Sequence, residues 1–121
     1  MARLTIALAL LLLCGCGTAS TGCSAVVIDW VDFIEVGATQ YLAGPATTSL
    51  QESDLGPVFA HVKFKVADNV CDPDYRPKDG DAAFLEPGTP IYQVNGQPPI
   101  VMLAAHRDGQ IVPYTAATKP T

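Results

Sequence analysis

Val58-Phe59-Ala60-His61-Val62-Lys63-Phe64-Lys65-Val66 carries the cleanest period-two pattern in the chain. An extended chain turns successive side chains to opposite faces, so Val58, Ala60, Val62, Phe64 and Val66 share one face. Phe59, His61, Lys63 and Lys65 share the other. This predicts a half-buried antiparallel strand with Val62 and Phe64 in the core and both lysines in water. On that reading Phe64→Ala should cost roughly 3–5 kcal/mol, and Lys63→Ala no more than about 0.5 kcal/mol.

Strand signals continue on both sides. Val26 to Val36 is rich in branched and aromatic residues and contains Trp30 and Phe33. Gly37-Ala38-Thr39 can turn it back into Gln40–Ala43. Residues 44–57 hold Gly44-Pro45 and Gly56-Pro57 and read as a loop with at most one helical turn near Ser49–Leu55. Residues 67–80 form an Asp- and Pro-rich loop. Ala82–Leu85, the turn Glu86-Pro87-Gly88-Thr89 and Ile91–Val94 suggest a hairpin. Asn95-Gly96 is a tight-turn signal, and Ile100–Ala105, Asp108-Gly109 and Gln110–Tyr114 suggest another hairpin. No helical pattern of ten residues follows residue 25. The expected fold is all-β, a small barrel or sandwich of about six to seven short antiparallel strands over residues 26–115, with a tail at 116–121.

The first residues read as an address. Met1-Ala2-Arg3 is a short positive start, and Leu4 to Leu13 is apolar except for Thr5. Small residues follow, the order of a secretory signal peptide. Ten apolar residues make a helix about 15 Å long, half the roughly 30 Å of a bilayer core, so the run cannot anchor by spanning. Leu13-Cys14-Gly15-Cys16 resembles a bacterial lipobox, departing from it at Cys14, where Ala, Ser or Thr is usual. Cys14 as the modified residue would follow the bulky Leu13. Cys23 follows a small Gly22 but lacks the Leu, and a plain secreted form is the third alternative. The resemblance implies residues 1–15 as signal peptide, cleavage before Cys16, and a diacylglyceryl thioether on the Cys16 sulfur. Two acyl chains hold a protein stably where one does not. Residues 16–25 are small and polar and read as a tether reaching about 35 Å when extended.

With Cys14 removed and Cys16 acylated, Cys23 and Cys71 remain in a compartment that permits disulfides. A bond between them could add on the order of 4 kcal/mol. A buried thiol at Cys71 with a free Cys23 is the alternative.

Charge excludes two classes of partner. The chain has 7 basic and 12 acidic residues, and Arg3 is the only base before Lys63. Neither a nucleic-acid footprint nor a polybasic grip on anionic lipid can be built from that. Asp72, Asp74, Asp79 and Asp81 crowd one loop, but Arg76 interrupts the ligand spacing of a calcium loop, and Arg76 and Lys78 can balance the acids. Asp29 and Asp32 fall on opposite faces of a strand. His61 and His106 stand apart, one on a polar strand face and one before a turn. No nucleophile elbow, zinc-protease motif, phosphate loop or other cofactor motif is present. The expectation is a protein that is not an enzyme and holds no metal or cofactor. Trp30, Tyr75 and Tyr92 are the candidate binding surface, on condition that they face outward together.

Asp29-Trp30-Val31-Asp32-Phe33, Asp54-Leu55-Gly56-Pro57, Val62–Val66 and above all Asp79–Tyr92 resemble small exported lipoproteins of Gram-positive bacteria, over roughly residues 29–114. Asn95-Gly96 is followed by Gln97-Pro98-Pro99 where those proteins often carry Tyr. The resemblance implies export and transfers no activity or site. The functional expectation is a lipoprotein at the outer face of the cytoplasmic membrane, held by its lipid. It would act as a non-catalytic binding or accessory module for an envelope protein or small ligand. A structural or stress-related envelope protein without a pocket is the alternative, and a small enzyme the last.

Overall fold

The computed structural model describes residues 28–44 and 49–117. The segments expected to be a signal peptide (1–15) and a tether with Cys16 and Cys23 (16–25), and most of the expected tail, lie outside the described residues. Eight strands form one curled sheet: β1 (Phe33–Val36), β2 (Thr39–Ala43), β3 (Leu55–His61), β4 (Phe64–Lys65), β5 (Asp81–Ala82), β6 (Pro90–Val94), β7 (Met102–Arg107) and β8 (Gln110–Ala116). Their order is β3-β6-β7-β8-β2-β1-β5-β4. All neighbours are antiparallel except β4 and β5, which run parallel. The fold is all-β, as expected, and its sheet is mixed. A single turn of 3-10 helix, Glu52–Asp54, interrupts the loop before β3.

The signals at 37–39 and 108–109 are local and hold. β1 and β2 join through Gly37-Ala38. Asp108 (φ 51°) and Gly109 (φ 77°) both take left-handed backbone between β7 and β8, the requirement of the tight turn whose twist matches the strands. The expected hairpin of Ala82–Leu85 with Ile91–Val94 does not form. β5 is only two residues long and lies between β1 and β4. β6 pairs with β3 and β7 instead. The Gly88 and Thr89 backbone is spent on Val62: Val62 N–H donates to Thr89 O at 3.0 Å, and Gly88 N–H to Val62 O at 2.7 Å.

The stretch 58–66 is two edge strands, not one central strand. β3 and β4 stand at opposite ends of the sheet order, with only Val62 and Lys63 between them in the chain. The sheet therefore curls until its two ends meet in one continuous run of backbone. β3 carries two register shifts against β6, one between Leu55 and Val58 and one between Val58 and Ala60. Bulges of this kind leave residues off the alternation, and Val58 and Phe59 are both exposed. A second irregularity follows at the crossing. Lys63 N–H (2.8 Å) and Phe64 N–H (3.3 Å) both point at Gly80 O, so two successive residues turn outward.

The core has two parts. Ile34, Tyr41, Val62, Ala82, Leu85, Ile91, Leu103, Ala105 and Tyr114 form the larger cluster. Phe33, Val66, Val70 and Ala83 form a smaller one, with Trp30, Tyr75 and Phe84 packed on it. Phe33 and Ile34 are consecutive on β1, so the clusters lie on opposite faces of the sheet. Val62 and Val66 are thus both buried, but in different layers. Phe64 lies at the margin and keeps 36% of its surface exposed. Lys63 is in water, whereas the Lys65 side chain keeps only 18% of its exposure, in ion pairs with Asp68 and Glu86. The expected cost of Phe64→Ala falls accordingly to about 1 kcal/mol. Val66→Ala, at a fully buried position, should cost about 2–3 kcal/mol. Urea midpoints of the two variants check this. Equal losses would mean that the smaller cluster contributes nothing.

Candidate functional site

A cleft of about 370 Å³ opens where the end of β7 meets β4 and the Glu86–Thr89 turn. That volume is the size of a small-molecule site. β7 and its turn supply His106, Arg107 and Asp108, and β4 supplies Lys65. Phe84 and Leu85 form the apolar part of the lining, and Glu86 and Thr89 the rest.

Arg107 is the most constrained of these side chains. Its Nη1 donates to Asp32 Oδ2, and its guanidinium carbon lies 4.7 Å from the centre of the Phe84 ring. Asp32 retains 16% of its side-chain exposure. Its other oxygen accepts the Tyr114 hydroxyl at 3.0 Å. Tyr114 is fully buried on β8. Burial holds its phenol neutral well above the ordinary value, with the Asp32 charge and hydrogen bond adding to the effect and Arg107 opposing it. Arg107 Nε is 3.6 Å from Asp108, a looser ion pair whose acid is 90% exposed. On β4, hydrogen bonds to Asp68 and then Glu86 hold the Lys65 amine above its usual range. His106 pairs through Nε2 with Glu52 and meets Tyr92 edge-on at 5.6 Å. The lining therefore has two fixed positive charges, Lys65 and Arg107, against Glu86 and Asp108.

The three aromatic candidates do not form one surface. Trp30 and Tyr75 meet edge-on at 6.5 Å and 90°. Both cover the smaller cluster and are half-buried. Tyr92 is on β6, beside His106 and so next to the cleft. The four loop acids also diverge. Asp72 accepts the Asp74 N–H. Asp79 takes the Gly37 N–H at 2.7 Å and Lys63 Nζ at 3.1 Å, which hold its carboxyl below the ordinary range. Asp81 is buried and accepts the Tyr75 hydroxyl at 2.6 Å and the Lys78 N–H at 2.8 Å. That hydrogen bond, with burial second, pushes Tyr75 up to about 12. Among the described residues no group of three or more His, Cys, Asp or Glu could hold a metal ion. Cys71 is disulfide-bonded, and its partner lies outside the described residues, as do Cys16 and Cys23.

No family model, curated protein or solved structure matches the chain.

Sequence reasoning missed the Asp32–Arg107–Tyr114 group. Asp32 and Arg107 are 75 residues apart and meet only because β1, β2, β8 and β7 are consecutive in the sheet. His106 precedes the Asp108-Gly109 turn, as expected, but is a strand residue on β7 and not part of the turn.

The Tyr41, Tyr75 and Tyr114 phenols are all held above the ordinary tyrosine value of 10.0, Tyr41 through burial alone. The folded chain keeps these phenols neutral, while the unfolded chain ionises them near 10. Stability is thus unaffected by them below pH about 10 and falls as pH rises above it. An alkaline titration should show most tyrosinate absorbance appearing together with loss of the circular dichroism signal. Three tyrosines ionising near pH 10 in a still-folded protein would contradict the packing described.

Proposed function

We propose that the chain is an exported lipoprotein, acylated on Cys16 and held at the outer face of the cytoplasmic membrane. Its domain would act as a non-catalytic binding or accessory module of the envelope, related to the exported lipoproteins of Gram-positive bacteria that its sequence resembles. The observation that carries this reading is the order of Arg3, the Leu4–Leu13 run and Leu13-Cys14-Gly15-Cys16. The disulfide at Cys71 supports it, because such bonds persist chiefly in exported proteins. Cleavage before Cys16 and acylation of that residue leave Cys23 as the partner of Cys71. The curl of the sheet, with both ends in one run of chain, supports a small closed barrel. The polar cleft beside Arg107 favours a binding module over an envelope protein without a pocket.

Cys16→Ala should move the protein from the membrane fraction to the medium, or leave an uncleaved precursor. Fractionation with immunodetection is the measurement. Unchanged retention of a correctly processed chain would overturn acylation at Cys16.

A further inference from the structure

We infer that the cleft beside Arg107 is a binding site for a small organic carboxylate. The inference gives the binding-module reading its ligand class and rests on that reading, but not on the lipid anchor. It starts from how Arg107 is held. Asp32 fixes one end of the guanidinium through Nη1, and the Phe84 ring covers its plane at 4.7 Å. Asp32 is itself fixed by the buried Tyr114 hydroxyl at 3.0 Å. An arginine pinned this way has lost most of its side-chain freedom before any ligand arrives, so binding spends little further entropy on it.

The opposite edge of the same guanidinium remains. Nη2 has no hydrogen-bond partner among the described residues, and Nε reaches only Asp108, at 3.6 Å. No buried side-chain nitrogen or oxygen among them lacks a partner, so Nη2 is not fully buried, on a side chain that keeps 32% of its exposure and lines the cleft. Two parallel N–H groups on a planar fork match the two oxygens of a carboxylate. The loose pairing of Nε with Asp108, which is 90% exposed, shows the chain's own carboxylate drawn to that edge without closing on it. A ligand carboxylate would replace it at small cost, since exposed pairs of this sort are weak. Lys65 lines the same cleft, and its two partners, Asp68 and Glu86, are both exposed. The site thus favours a compact ligand with a carboxylate on Arg107 and a second acceptor within reach of Lys65. A phosphate, which wants several converging cations, is served less well, because Glu86 and Asp108 offset the two that are present.

Titration of the detergent-solubilised full chain with succinate, at constant ionic strength, tests this by calorimetry and by thermal shift. Succinate should bind saturably. Arg107→Lys, which keeps a cation for Asp32 but loses the fork, should weaken binding roughly tenfold. Asp108→Asn, at an exposed turn position, should fold normally and tighten binding roughly two- to fivefold by removing the competing carboxylate. Absence of saturable succinate binding, an Asp108→Asn variant that binds no tighter, or inorganic phosphate binding tighter than succinate would each overturn the assignment. Such failures would leave membrane attachment through Cys16 untouched, because fractionation tests that separately.

Discussion

Asp32→Ala is expected to lower stability by about 2–4 kcal/mol. Two partners are orphaned at once. The Tyr114 hydroxyl, on a fully buried ring, loses its acceptor, and Arg107 loses the carboxylate that fixes Nη1. The estimate is below that for a fully buried pair because Arg107 keeps 32% of its exposure and can recover some hydration. Tyr114→Phe removes one hydrogen bond and leaves the ion pair, so it should cost only about 1–2 kcal/mol. Asp32→Asn retains an acceptor and should fall between them. Urea unfolding of the three variants, read at constant m-value, gives the ranking. A loss below about 0.5 kcal/mol in Asp32→Ala, the range of ordinary surface changes, would mean that this group does not hold β7 and β8 to the start of β1.

Gly80→Ala should be about as damaging, at roughly 2–4 kcal/mol, for a different reason. Gly80 sits where the two ends of the sheet meet. Its N–H donates to Glu35 O at 2.8 Å, and its carbonyl receives both Lys63 and Phe64. Its φ is +91°, a conformation that strains a side chain. A Cβ there would lie 2.5 Å from Lys63 Cδ, 2.7 Å from Cγ and 2.8 Å from Cβ. The lysine's tip could swing away, but its Cβ is tied to a backbone whose N–H is bonded to Gly80 itself. Gly88 supplies the control. Its φ is +90°, and a Cβ there meets nothing within 4 Å, so Gly88→Ala carries only backbone strain, about 1 kcal/mol. In a domain of this size each kcal/mol moves Tm by roughly 4–8 °C, so thermal melts separate the two easily. Equal shifts would show that the close approach of Lys63 to Gly80 does not matter.

The all-β class, the β1–β2 turn, the β7–β8 hairpin and the short helical turn were legible in the sequence because each rests on local chemistry. Asp108-Gly109 needs no distant partner to favour its turn. The stretch 58–66 misled because period two names a strand's two faces but not its neighbours. With one core assumed, Val62, Phe64 and Val66 belonged together. With core on both faces and a bulge at Lys63–Phe64, Val62 and Val66 go to different layers and Phe64 to the margin. Ala82–Leu85 misled in the same way: two apolar runs around a Gly-containing turn suggest a hairpin, but the turn's backbone is occupied by Val62. Of the candidate site, Tyr92 stands beside the cleft, while Trp30 and Tyr75 cover a core cluster. Arg107 left no local signal, since its role depends on a carboxylate brought from the other side of β2 and β8.

The proposed function places this domain outside the cytoplasm, held by lipid at Cys16. Intact-mass measurement of the mature protein from the membrane fraction, alkylated before and after reduction, tests it most directly. The expected result is a chain that begins at Cys16 with the added mass of a diacylglyceryl group, takes no alkyl label as isolated, and takes two after reduction, at Cys23 and Cys71. A chain that begins elsewhere with no lipid mass, or one that labels at Cys71 without reduction, would contradict it.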